Sequence, residues 1–141
     1  MPRKILVGYD GSEESISALE LSLELFEQDV ESKIAEFHLA YIVEEPPGVA
    51  DPVPDELLES LKREGEEILS DGAKRVRDQL GSPLMHLDFG SPPQRLGKLA
   101  SEILPDIVVL GIANHSQSEK IMGTVSSYFL NSKKYPLLLV P

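Results

Sequence analysis

The sequence predicts a single doubly wound α/β domain: a five-stranded parallel sheet with helices on both faces. Three observations predict it. Short apolar runs that suit strands alternate five times with connecting segments, four of which carry apolar residues every three or four positions, the period of one helix face. Glycine, proline and serine punctuate the junctions. The chain has 141 residues, within the range of one domain. A chain near this size removes about 68–70% of its unfolded surface from water and needs no staples.

The elements follow in order. Lys4 to Tyr9 is a short apolar run ending at Asp10-Gly11, suited to a strand buried on both faces. Ser12 is placed to cap a helix whose apolar face carries Ile16, Leu19, Leu23 and Phe26, and Glu13 and Glu14 suit its positive end. Ile34 to Val43 is the second strand. Residues 44 to 54, with four prolines, form an irregular connection. A long helix fits Asp55 to Leu80, with Leu61, Gly65, Ile68, Gly72 and Val76 on one stripe; its two glycines cost about 1 kcal/mol each against alanine but let the helix lie close to a sheet. Gly81 ends it. Pro83 to Phe89 is the third strand, and Ser91 is expected to cap a third helix that has Pro92 at its first position and Leu96, Leu99, Ala100 and Ile103 on its apolar face. Ile107 to Leu110 is the fourth strand, Thr124 to Ser132 the fourth helix and Leu137 to Val140 the fifth strand. Such alternation means parallel strands with helical crossovers. Residues 1–141 show no internal repeat, low-complexity segment or second domain.

Composition narrows the function. With no cysteine, disulfides, thiol catalysis and Cys-ligated zinc are excluded. Twenty-four acidic against 13 basic residues give a net charge of -11. Such a surface repels nucleic-acid backbone and anionic lipid, so neither is an expected partner. No apolar run approaches the ~20 residues of a membrane span. The opening Met1-Pro2-Arg3-Lys4-Ile5-Leu6-Val7 is too short in apolar residues for a signal peptide, and a cytoplasmic protein is expected.

Ligands of open parallel sheets sit beyond the carboxyl ends of the strands, where strand order reverses. If the sheet reverses between strands 1 and 4, Asp10-Gly11-Ser12 and Gly111 border one crevice. The two helix starts there differ in charge. Asp10, Glu13 and Glu14 cancel the pull of helix 1 on an anion. Helix 4 opens at Gly123-Thr124-Val125-Ser126 without an acid, so phosphate belongs to it, with Lys120 upstream offset in part by Glu119. Asp10 is left to hydrogen-bond a sugar or base, or to share a metal ion with the phosphates. Plainer readings stand beside these: Gly111 ends a strand, Gly123 begins a helix, and Asp10 forms a turn before Gly11.

Several stretches together resemble the universal stress protein family. They are Lys4-Ile5-Leu6-Val7-Gly8-Tyr9-Asp10-Gly11-Ser12-Glu13, Gly90-Ser91-Pro92, Pro105-Asp106-Ile107-Val108-Val109-Leu110-Gly111, Gly123-Thr124-Val125-Ser126 and Tyr135-Pro136-Leu137-Leu138-Leu139-Val140. The resemblance implies sheet order 3-2-1-4-5 and a small cytoplasmic stress-response protein that forms homodimers through the strand at Leu137–Val140. It implies two subclasses, one binding ATP or AMP through Gly-x2-Gly-x9-Gly-(Ser/Thr) and one lacking the motif and the ligand. Carried over by position, the nucleotide site is Asp10 with Gly8 and Tyr9 beside it, Ile42 at the end of strand 2, then Leu110, Gly111, Ala113 and Asn114, then Gly123, Thr124, Val125 and Ser126. Magnesium enters only with the nucleotide, and Asp10 is the residue placed to share it. The chain departs from the motif twice: Asn114 stands where the second glycine belongs, and residues 115–122 make a spacer of eight rather than nine. Asn most readily replaces glycine at positive φ, so retained but altered ATP or AMP binding is the expectation.

Alternatives are a non-nucleotide-binding interaction module of the same family and a slow ATP hydrolase; no base other than Asp10 is evident for hydrolysis. A signal receiver is set aside, because strand 1 ends in Tyr9-Asp10 rather than paired acids and Lys133-Lys134 precede strand 5. No catalytic residue is assigned: Ser126 and Ser127 have no neighbouring base. Those two lysines are expected to offset the negative pole of helix 4. His86 and Asp88 lie on one side of strand 3, and His86 is expected to bond a carboxylate rather than a metal. His115 lies in the loop, where it could touch a phosphate; solvent exposure is the expectation.

Overall fold

The structure, a computed structural model, describes residues 3–31, 35–44, 52–112 and 123–141. The elements run β1 (Arg3–Gly8), α1 (Glu13–Glu31), β2 (Ala35–Val43), α2 (Asp55–Leu80), β3 (Leu84–Phe89), α3 (Pro92–Ile103), β4 (Ile107–Gly111), α4 (Thr124–Ser132) and β5 (Leu137–Val140). All pairings are parallel, and the sheet order is β3-β2-β1-β4-β5, as the resemblance implies. Strand ends differ from the sequence reading by about one residue, because ends fray. Much of the 44–54 connection lies outside the described residues.

β1 is the central strand, and its apolar run has no polar alternation because both its faces are covered. Ile5 and Val7 join α1, α2 and β2 residues in one core cluster, while Leu6 joins Leu96, Ala100 and Phe129 in the other. Each helix supplies one apolar stripe. On α2 the buried positions are Gly65, Leu69, Gly72, Ala73 and Val76, with Leu61 and Ile68 half-buried at the border. The stripe is wider than the sequence predicts because α2 meets both the sheet and α1.

The two α2 glycines are there for contact. A methyl at Gly72 would lie 2.9 Å from the Tyr9 ring, and one at Gly65 would lie 2.8 Å from Leu87. The helix therefore rests on the sheet at distances no side chain tolerates. One predicted cap differs. Ser91 occupies the N-cap position of α3, but its side chain makes no capping hydrogen bond. Pro92 and Pro93 hold the first two helical positions and carry no N–H, so few donors remain for a cap to satisfy.

β5 is an edge strand. Its leucines are already packed within the chain: Leu138 against the α1–α2 cluster, Leu137 and Leu139 against the α3–α4 cluster. Among the described residues, no strand pairs with the outer backbone edge of β5.

Candidate functional site

β1 hydrogen-bonds to β2 on one side and β4 on the other, so the order reverses at β1 and a crevice opens beyond the strand ends there. That crevice is a cleft of about 520 Å³. Its floor is Gly8, Tyr9, Ala40, Ile42, Leu110 and Gly111; α2 contributes Leu61 and Glu64 to one wall; α3 and α4 contribute Pro92, Leu96, Thr124, Val125 and Ser126 to the other.

Nine of the predicted site residues line this cleft: Gly8, Tyr9, Asp10, Ile42, Leu110, Gly111, Thr124, Val125 and Ser126. Gly123 stands at the N-cap of α4, next to them. Ala113 and Asn114 lie outside the described residues, as do His115, Glu119 and Lys120.

The turn after β1 is tightly organised. Tyr9 N–H donates to the Ala40 carbonyl at 2.8 Å. Asp10 Oδ1 accepts from Ser12 N–H at 2.9 Å, and Gly11 takes φ 80°, which favours glycine. Ser12 caps α1: its Oγ accepts from Ser15 N–H at 3.2 Å, while Ser15 Oγ donates to the Ser12 carbonyl at 3.0 Å. Asp10 is thus a turn-former, as the plainer reading holds, and it faces the cleft as well.

Tyr9 contributes little polar chemistry to a ligand. Its ring is buried beneath Gly72, and its hydroxyl donates to Asp71 Oδ2 at 2.6 Å. Burial and this carboxylate push its pKa up to about 12. Asp71 is held below the usual carboxylate range, chiefly by that same bond. Arg75 extends the chain of contacts to Asp71 at 3.3 Å and to Glu20 at 3.2 Å, tying α2 to α1.

The other wall is bare by comparison. The backbone at Gly123 is extended, with φ -71°, and no side chain caps α4; Ser127 N–H makes the first helical bond, to the Gly123 carbonyl at 3.1 Å. The amides of residues 124–126 have no partner among the described residues and no acid in the first turn. Among the described residues, a methyl at Gly123 would meet nothing within 4 Å. This end fits a phosphate. Thr124 is exposed and offers its hydroxyl, whereas Ser126 is buried. Gly111 serves packing instead. A methyl there would stand 2.5 Å from the Glu14 backbone, so its bareness lets α1 cross β4.

Sequence reasoning missed Glu44, Glu64, Tyr41, Leu61 and Leu96 as lining residues. Glu44 had a signal, since it directly follows the carboxyl end of β2. Glu64 had none, because α2 reaches the cleft only by packing across the sheet. Tyr41 lies among acids: burial first, then Asp10, Glu64 and Glu44, hold its phenol above the ordinary range. Among the described residues no group of three His, Asp or Glu side chains is set to hold a metal.

His86 has a different partner from the one expected. Its Nε2 lies 2.9 Å from His38 Nδ1, and His38 Nε2 lies 3.0 Å from Glu36 Oε1. An ionised carboxylate only accepts, so His38 carries its proton on Nε2 and accepts at Nδ1, and His86 donates from Nε2. Asp88 turns instead to Arg95, at 3.5 Å. Burial, then the neighbouring His38, hold His86 below its ordinary range against the opposing pull of Glu102.

The sequence model of the universal stress protein family matches residues 1–141. The chain belongs to that family. It is 30% identical over 82 residues to universal stress protein G of Shigella flexneri, a stretch covering 58% of this chain and 58% of that relative. The universal stress protein UspA of Lactobacillus plantarum superposes with a TM-score of 0.80 at 19% identity, over 99% of this chain and 97% of that one. A family member from Arabidopsis thaliana, described with AMP bound, superposes with a TM-score of 0.74 at 16% identity, over 99% and 91% of the two chains. At these identities the structural matches establish the fold of this universal stress protein and nothing finer.

Proposed function

We propose that this universal stress protein is a cytoplasmic stress-response regulator that binds an adenine nucleotide, ATP or AMP, in the cleft between β1 and β4. One observation carries the reading: the uncapped first turn of α4 and the Asp10 turn face the same cleft at the point of strand reversal. A phosphate accepts from the amides of 124–126 and from Thr124, where the helix dipole favours negative charge. The ribose and base extend over Gly8, Ile42 and Leu110 toward Asp10, whose second carboxylate oxygen accepts from a hydroxyl or amine. The Arabidopsis relative's AMP supports the ligand class.

Titration calorimetry of the purified chain with AMP and ATP is expected to give saturable heats. No heat from either at high micromolar concentration overturns the reading. The homodimer is proposed to form through the outer backbone edge of β5, Leu137–Val140, which no described strand pairs. Sedimentation as a monomer at tens of micromolar would count against it.

A further inference from the structure

Three described side chains that line the cleft are charged, and all three are carboxylates: Asp10 after β1, Glu44 after β2 and Glu64 on α2. No Lys, Arg or His stands among those lining residues. Glu44 and Glu64 are exposed, and neither is paired with a cation among the described residues. All three acids line the same cleft as Tyr41, and each raises its phenol's pKa.

Among the described residues, the anion seat that stands against them is the first turn of α4. A helix N-terminus carries the equivalent of about half an elementary charge and acts within its first turn. That holds one phosphate group. A free triphosphate brings about two further negative charges, which the seat does not compensate and which the acidic wall and the chain's net charge of -11 oppose.

We propose that the cleft selects a nucleoside monophosphate over the free triphosphate, and that Glu44 and Glu64 are specificity-determining residues. This rests on the nucleotide reading above. The acids act at a distance on phosphate charge, so their effect falls on the ratio of the two affinities more than on AMP binding itself. It also fades with salt, because exposed charges are screened beyond roughly 8–10 Å near physiological ionic strength.

The test is calorimetry of the full chain with AMP and with ATP, in chelator, at ionic strengths of about 0.01 and about 0.5 M. Wild type is compared with the double variant Glu44→Gln, Glu64→Gln. A second double variant, Glu24→Gln with Glu27→Gln, removes the same charge from exposed α1 positions outside the cleft lining. Wild type is expected to bind AMP more tightly than ATP. The cleft variant narrows that preference by roughly fivefold per carboxylate at low salt, and much less at high salt. The α1 variant leaves the preference nearly unchanged. ATP binding as tightly as AMP in wild type overturns the inference, and so does an α1 variant that narrows the preference as much as the cleft variant. Failure of both nucleotides to bind overturns the nucleotide reading itself, which is a separate and recognisable result.

Discussion

The two walls of the cleft are built by opposite means. On the β1–α1–α2 side the polar groups are largely engaged within the protein. Asp10 holds the Ser12 amide, Ser12 and Ser15 close the α1 cap, and Tyr9, Asp71, Arg75 and Glu20 join the two helices. On the α4 side the N-cap is a glycine with no side chain to offer, and the amides that follow find no partner among the described residues. The first wall is shaped by internal bonds and left negative. The second is left open and positively polarised. A helix start that is capped gains stability at that end; one that is uncapped keeps its donors for a ligand.

Substitutions in each region sharpen or break this contrast. The largest effect is expected from Gly111→Ala, where the two walls meet. Its methyl would stand 2.5 Å from the Glu14 backbone, which cannot rotate away. A loss of about 3 kcal/mol or more is expected in urea denaturation. A loss under about 1 kcal/mol would mean that α1 does not bear on β4 there.

Next comes Tyr9→Phe in the internally bonded wall. Removing the hydroxyl from a 2.6 Å bond to a carboxylate is expected to cost about 1 kcal/mol at pH 8. The pH dependence adds a sign. The folded-state pKa of about 12 exceeds the unfolded value of 10.0, so the tyrosine's contribution is complete below pH 10 and is lost as pH rises toward 12. The gap between wild type and Tyr9→Phe should therefore shrink over that window. A gap that stays constant in alkaline denaturation would show that the bond is not what anchors this wall.

The smallest effect on stability belongs to Gly123→Ala. Its added methyl meets no described residue, and alanine at an N-cap costs about 0.5 kcal/mol against glycine. The same methyl would stand at the entrance to the amides, so AMP titration should show weaker binding in a protein nearly as stable as wild type. Unchanged AMP affinity would place the phosphate elsewhere.

Much of this was legible along the chain. The Ile5-Leu6-Val7 run announced a strand covered on both faces, and Ser12 announced its cap, because those signals act between residues a few positions apart. The glycine at 72 was legible as a place of close approach, though not that Tyr9 would be what approached. Ser91 shows how a local signal misleads: the residue is placed to cap, but the two prolines after it leave few donors for it to serve. His86 shows the same for distance. Two residues along its strand stood an acid, yet the register His38↔Leu84 and Ala40↔His86 brings a histidine of β2 within 2.9 Å.

By itself the sequence determined the order of elements, the parallel sheet they imply and the contrast between an acid-rich and an acid-free helix start, since periodicity, caps and charge are properties of neighbouring residues. Only the tertiary structure decided that α2 brings Glu64 to the same cleft as Glu44 and Asp10, that Gly111 is taken up by the crossing of α1 and that no described residue covers Gly123. Those outcomes depend on strand register and helix packing, which join positions far apart in the chain and leave no local pattern to read.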